Sequence, residues 1–128
     1  MEFAVIIILL SLLQYTYFAY QVGAKRGEYD VPAPKVSGNE TWERYLRVQQ
    51  NTLEQLVLFV PGMFAFSYYI SSVWVLVPGI AYLVGRQLYA ASYVKDPSSR
   101  TMGFMLTFGA NMVVVIGGLI GAGMAVAS

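Results

Sequence analysis

The stretch Arg47-Val-Gln-Gln-Asn-Thr-Leu-Glu-Gln-Leu56 leads directly into Val57-Leu-Phe-Val-Pro-Gly-Met-Phe-Ala-Phe66. An arginine, an asparagine and a glutamate at positions 47, 51 and 54 fall on one face of a helix that is about to become wholly apolar. Ionisable groups in or near hydrocarbon are expensive and face partners inside a bundle rather than lipid. The reading of the chain therefore turns on what those three side chains meet.

The surroundings make this a membrane problem. Of 128 residues, 57% are apolar and only 12% are charged, and the mean hydropathy is +0.56. A water-soluble domain carries about 25% charged residues. The charges are also segregated: Lys25, Arg26, Glu28, Asp30, Lys35, Glu40, Glu43, Arg44 and Arg47 fall in one polar segment. The expected fold is one all-α membrane domain over residues 1–128, a four-transmembrane-helix bundle.

A membrane helix needs about 20 mostly apolar residues, and four such runs are expected, at about 3–22, 43–69, 73–94 and 101–127. Glu2 precedes the first run and Lys25-Arg26 follow it, the reverse of a cleaved signal segment. Pro61-Gly62 is a place where the second span can bend. Ile70-Ser71-Ser72 is a short turn, and Lys95-Asp96-Pro97-Ser98-Ser99 breaks the chain before the fourth span. The segment 23–42, with Pro32, Pro34, Gly27 and Gly38, reads as a polar loop. Lysine and arginine mark cytoplasmic loops. They occur between spans one and two and between spans three and four, and are missing from the turn near Ser71 and from both ends. The expected topology is multi-pass, with both termini on the non-cytoplasmic side, in a bacterial inner membrane or an equivalent internal membrane. Near-neutral net charge, +1, argues against a nucleic-acid partner.

The chain has no cysteine and no histidine. That removes disulfides, a thiolate of its own, the usual general base and the commonest metal ligands, so no metal site is expected. Chemistry must come from Arg, Glu, Asp, Lys, Tyr, Ser or Asn, or from a bound molecule.

Arg47, Asn51 and Glu54 stand at the cytoplasmic end of the second span. Tyr82, Arg86, Tyr89 and Tyr93 share a face of the third, which returns to the same side. Lys25 and Arg26 close the first span there, and Arg100 opens the fourth. A structural account is available: Arg86 and Glu54 pair to fasten two helices, Arg47 and Arg100 are topology signals, and the tyrosines are interfacial anchors. It leaves an excess of cations around one carboxylate. Guanidinium forks match carboxylates bidentately, and a glutamate takes an ammonium, so the cluster also suits a zwitterionic guest with more than one carboxylate. In the fourth span, Gly117-x-x-x-Gly121 is a small-residue packing motif, and Asn111 suits a helix–helix hydrogen bond better than a ligand.

The pattern Arg44-x-x-Arg47-x-Gln49-x-Asn51-x-x-Glu54, followed by Arg86-x-x-Tyr89-x-x-x-Tyr93 and Arg100, closely resembles the membrane-associated proteins in eicosanoid and glutathione metabolism. That family includes microsomal glutathione transferases, leukotriene C4 synthase and microsomal prostaglandin E synthase. The resemblance covers nearly the whole chain. It implies a homotrimer in membrane lipids, with glutathione as co-substrate bound between subunits near the cytoplasmic face. It implies that Arg47, Asn51, Glu54, Tyr89 and Tyr93 hold the tripeptide from one subunit, with Gln49 and Arg26 from its neighbour. Arg86 falls near the thiol end, and Arg100 matches the arginine that stabilises the thiolate. Gln55 departs from the pattern, standing where some relatives have a tyrosine that contacts glutathione. The second substrate would be a lipophilic electrophile or a lipid hydroperoxide, making the chain a glutathione transferase or peroxidase. A non-catalytic lipid-binding scaffold of the same fold is the alternative. A four-span exporter, with Glu54 as proton carrier, fits less well, because arginines crowd that glutamate.

Overall fold

The computed structural model describes residues 1–128. Four helices account for most of the chain: α1 (Glu2–Ala24), α2 (Glu40–Tyr69), α3 (Leu76–Lys95) and α4 (Thr101–Ala127), with a 3-10 turn at Pro97–Ser99 before α4. The helices run up and down as an all-helical bundle. Two of them, α1 and α4, are long and apolar enough to cross a membrane. α2 and α3 have lower mean hydropathy, since they carry the polar stripes described above.

Local chemistry accounts for the helix ends. Asn39 caps α2: its Oδ1 accepts from the Trp42 backbone N–H at 2.9 Å, satisfying one of the donors a helix start leaves orphaned. Glu40 and Glu43 place negative charge in the first turn, where the helix dipole favours it. α2 continues unbroken through Pro61, although the proline cannot donate to the carbonyl one turn back. The link after α2 is longer than a three-residue turn. Ser71 Oγ accepts from the backbone N–H groups of Val73 and Trp74 at 3.2 and 2.9 Å, which holds a turn there and delays α3 until Leu76.

The polar segment between α1 and α2 is organised from within. The Trp42 indole donates to Val22 O at 3.0 Å. Val22, Val31 and Trp42 bury together, and Arg26 lies 4.6 Å over the Trp42 ring.

The main core joins all four helices. Ile7 and Ile8 of α1, Phe59 and Met63 of α2, Tyr82 of α3 and Val114 of α4 are buried together, and Phe59 stacks on Tyr82 with centroids 3.8 Å apart. The glycines of α4 decide how closely it packs. Gly117 meets the Phe66 ring, Gly118 meets Ala65 and Gly121 meets Tyr69, so the small-residue motif serves α4 against α2 within one chain. The outer surface is apolar: Leu9, Leu13 and Tyr20 on α1 and Ile116, Leu119 and Ile120 on α4 are all exposed. An apolar surface of this extent is suited to lipid or to another copy, not to water.

Candidate functional site

At the end of the bundle where α2 begins and α3 finishes, a cleft of about 380 Å³ is lined by Arg47, Gln50, Asn51, Glu54, Tyr89, Tyr93, Arg100 and Phe104. Each helix contributes by its own periodicity. Positions 47, 50, 51 and 54 form one stripe on α2, and Tyr89 and Tyr93 are one turn apart on α3. Their rings stack with centroids 5.4 Å apart and planes 6° from parallel. Arg100 and Phe104 belong to the opening of α4. Thus six of the residues singled out from sequence, Arg47, Asn51, Glu54, Tyr89, Tyr93 and Arg100, converge within a single chain.

The cleft is not neutralised by its own residues. The ion pairs of the chain are the N-terminus with Glu2, Lys25 with Glu28, and Arg44 with Glu40. Arg47, Glu54 and Arg100 take part in none. The fastening pair that the structural account assigned to Arg86 and Glu54 does not form, because Arg86 is held elsewhere.

Arg86 is fully buried and lies beneath the cleft rather than lining it. Its Nη1 donates to Asn51 Oδ1 at 2.7 Å and to Thr52 Oγ1 at 3.2 Å, and its Nε donates to Thr107 Oγ1 at 3.0 Å. The Thr52 and Thr107 hydroxyls donate onward to Val48 O and Gly103 O, so their lone pairs face the guanidinium. The Tyr89 ring lies 4.4 Å from the guanidinium carbon, a favourable cation–π placement. A buried cation needs such acceptors to offset its lost hydration. The bond to Asn51 has a further effect: with Oδ1 taken from below, the amide N–H groups are left for the cleft. Arg86→Ala is expected to cost about 3 kcal/mol, from the space vacated and the acceptors left without donors. Thermal unfolding of the detergent-solubilised protein measures this.

Two other residues from the sequence reading do not line this cleft. Gln49 points to α1, its Nε2 donating to Tyr15 Oη at 3.3 Å. Arg26 donates through Nη1 to Val31 O at 3.2 Å and Lys35 O at 2.7 Å, tying up the polar segment. Gln55 is turned into the seam between α2 and α4, where its Oε1 accepts from Asn111 Nδ2 at 2.7 Å. Asn111 thus makes the helix–helix bond expected of it. Gln50 and Phe104 line the cleft but had not been singled out. Each was findable by spacing: Gln50 is three residues after Arg47 and four before Glu54, and Phe104 is one turn beyond Arg100.

Two features hold α4's first turn beside Tyr89 and Tyr93. One is the tight link after α3. Asp96 Oδ1 accepts from the Ser98 N–H at 3.1 Å and from Ser98 Oγ at 2.8 Å. These hydrogen bonds hold its carboxyl below the usual carboxylate range. Because the folded value is depressed, that contribution is present at neutral pH and disappears as the pH falls through the folded pKa. The other feature is close helix contact: Gly103 abuts the Tyr89 backbone, and Gly85 abuts Leu106 and Thr107.

Chemically, the cleft offers two guanidiniums, amide donors, aromatic walls and one carboxylate. That set can hold a small anion bearing an ammonium and can stabilise negative charge near Arg100. Sequence comparison agrees with this geometry. The chain is 40% identical over 111 residues to an uncharacterized protein of Synechocystis, covering 87% of this chain and 81% of that one. It is 34% identical over 113 residues to human microsomal glutathione S-transferase 2, covering 88% and 77%. Against the bovine protein of the same name it is 34% identical over 112 residues, with the same coverage. Residues 4–120 match the MAPEG family, and with that extent of agreement the chain belongs to this family of membrane-bound proteins.

Proposed function

We propose that this protein is a glutathione transferase of the membrane, crossing the bilayer four times and assembling as a homotrimer. The observation that carries the reading is the convergence of Arg47, Asn51, Glu54, Tyr89, Tyr93 and Arg100 on one cleft with its arginines and glutamate unpaired. Glutathione has two carboxylates, an ammonium and a thiol, and so complements that set. The names of the mammalian relatives supply the same substrate class.

In this reading Arg47 and the Asn51 amide take a carboxylate, Glu54 takes the ammonium, and the stacked tyrosines wall the peptide. Arg100 faces the sulfur. Without a histidine, the thiol proton passes to water, and the guanidinium favours the thiolate left behind. The thiolate attacks an electrophilic carbon, a sulfur–carbon bond forms, and the leaving group departs with its electron pair. With a lipid hydroperoxide, two glutathiones would become the disulfide while the peroxide is reduced to alcohol and water. Gln49 and Arg26 lie away from their own chain's cleft, which suits the assignment of these two to a neighbouring subunit's site. The lysine and arginine distribution supports a cytoplasmic cleft with both termini on the opposite side.

Mixing the purified protein with glutathione in a stopped-flow instrument should produce ultraviolet thiolate absorbance at neutral pH. Its absence would favour the lipid-binding scaffold. Glu54→Gln removes the charge that meets the ammonium, and is expected to weaken glutathione binding about tenfold, a change of about 1.4 kcal/mol. Isothermal titration measures it. Binding within twofold of the parent would remove Glu54 from this role.

A further inference from the structure

A second cleft, of about 310 Å³, lies on another side of the bundle and shares no residue with the first. It opens between Tyr17, Phe18 and Gln21 of α1 and Gln87, Ala90, Ala91 and Val94 of α3, with Tyr45 and Val48 of α2 behind. Its deep end is closed by a polar clasp. Gln14 Nε2 donates to Leu83 O and to Gln87 Oε1, both at 3.0 Å, pinning α1 to α3. Beyond the clasp, α3 presents two small residues, Ala90 and Ala91, where larger ones would fill the gap.

The lining is graded along the helix axes. Phe18, Val48, Ala90 and Val94 make an apolar wall, and the neighbouring α1 surface carries exposed Leu13, Tyr17 and Tyr20. At the other end, where α3 finishes, stands Lys95, which has no carboxylate within salt-bridge distance. The other charges there are engaged: Lys25 sits 4.9 Å over the Tyr45 ring and pairs with Glu28, Arg44 pairs with Glu40, and the Asp96 carboxylate is bonded to Ser98. Lys95 is the cation of this cleft left free for a ligand. The Tyr45 hydroxyl and the Gln21 amide supply hydrogen-bonding groups to the same rim.

We propose that this cleft is a binding site for one acidic phospholipid, its acyl chain along Phe18, Val48 and Ala90 and its headgroup phosphate at Lys95. The volume is at the small end of ligand pockets, suiting one chain rather than a whole lipid. On the four-span reading its rim lies at the inner headgroups, where basic pockets between membrane helices recruit acidic lipids.

Native mass spectrometry of the detergent-purified protein, mixed with equal amounts of phosphatidylglycerol and phosphatidylcholine, reads the site directly. The expected result is phosphatidylglycerol retained at least threefold over phosphatidylcholine. Lys95→Gln should remove that preference, and Ala91→Trp should reduce retention of both lipids. Neither residue lines the first cleft, and thermal unfolding at the parental temperature certifies the fold of each variant. Equal retention of the two lipids by the parent would overturn the proposal. So would unchanged retention in Ala91→Trp, as would be found if a second copy of the chain covered this face. Because retention is read without glutathione, this site and the proposed transferase activity stand or fall separately.

Discussion

Arg100→Ala is expected to lower turnover with a chlorinated nitrobenzene by at least about tenfold at pH 7, while glutathione binding stays within a few-fold. A free thiol with a pKa near 8.5 is only about 3% ionised at pH 7. A cation beside it lowers that pKa by about one to three units, which raises the ionised share at pH 7 to between about a quarter and nearly all. Removing the cation costs about 8- to 30-fold in thiolate, and much of this is returned because a thiolate of higher pKa is intrinsically more reactive. Loss of a fixed position for the sulfur adds to the deficit. The pH profile identifies the cause. Below pH 8.5 the variant's rate should climb about tenfold per pH unit as the thiol ionises unaided, whereas the parent's rate should level off about one to three pH units lower. A variant with parental turnover, or with the parental pH profile, would show that Arg100 does not hold the sulfur's charge.

Gly103→Ala is expected to cost about 2–3 kcal/mol of stability and most of the activity as well. A methyl group there would run into the Tyr89 backbone nitrogen, would lie 2.6 Å from Tyr89 Cα, and would lie 2.7 Å from Gly85 O. Backbone atoms cannot rotate aside, so α4 must shift away from α3, the usual consequence of overpacking. That shift carries Arg100 and Phe104 away from Tyr89 and Tyr93, which is why a substitution outside the cleft should lower turnover. Gly109→Ala is the control. Nothing lies within 4 Å of its added carbon, and alanine is the better helix former by about 1 kcal/mol, so stability should hold or rise. If Gly103→Ala unfolds at the parental temperature and turns over normally, the tight contact does not position α4's first turn.

The helical stripes were legible in the amino-acid sequence because spacing along a helix is a local property. Positions 47, 51 and 54 share a face wherever the helix goes, as do 89 and 93, and the apolar runs between polar breaks announce the helices themselves. Gln50 and Phe104 obey the same periodicity; they stood out less because glutamine and phenylalanine carry no charge to mark them. The partner of each polar group was not legible in this way. Arg86 and Glu54 looked like a pair because opposite charges at similar depth attract, yet the guanidinium donates to Asn51, Thr52 and Thr107. That choice depends on how α2, α3 and α4 rotate and how closely they approach, and Gly85 and Gly103 set the α3–α4 part of it through close contact.

The fate of Gln55 makes the same distinction. Its departure from the family pattern is visible in the chain, but only packing decides that Asn111 draws its amide into the α2–α4 seam. The sequence by itself determined which residues form helices, which faces are apolar and which polar groups travel together. The tertiary structure decided which of those groups stay free for a ligand and which are consumed in holding helices together. The reason is range: helical periodicity acts over a turn, whereas a hydrogen bond between helices requires its atoms to meet within about 3 Å across tens of residues of chain.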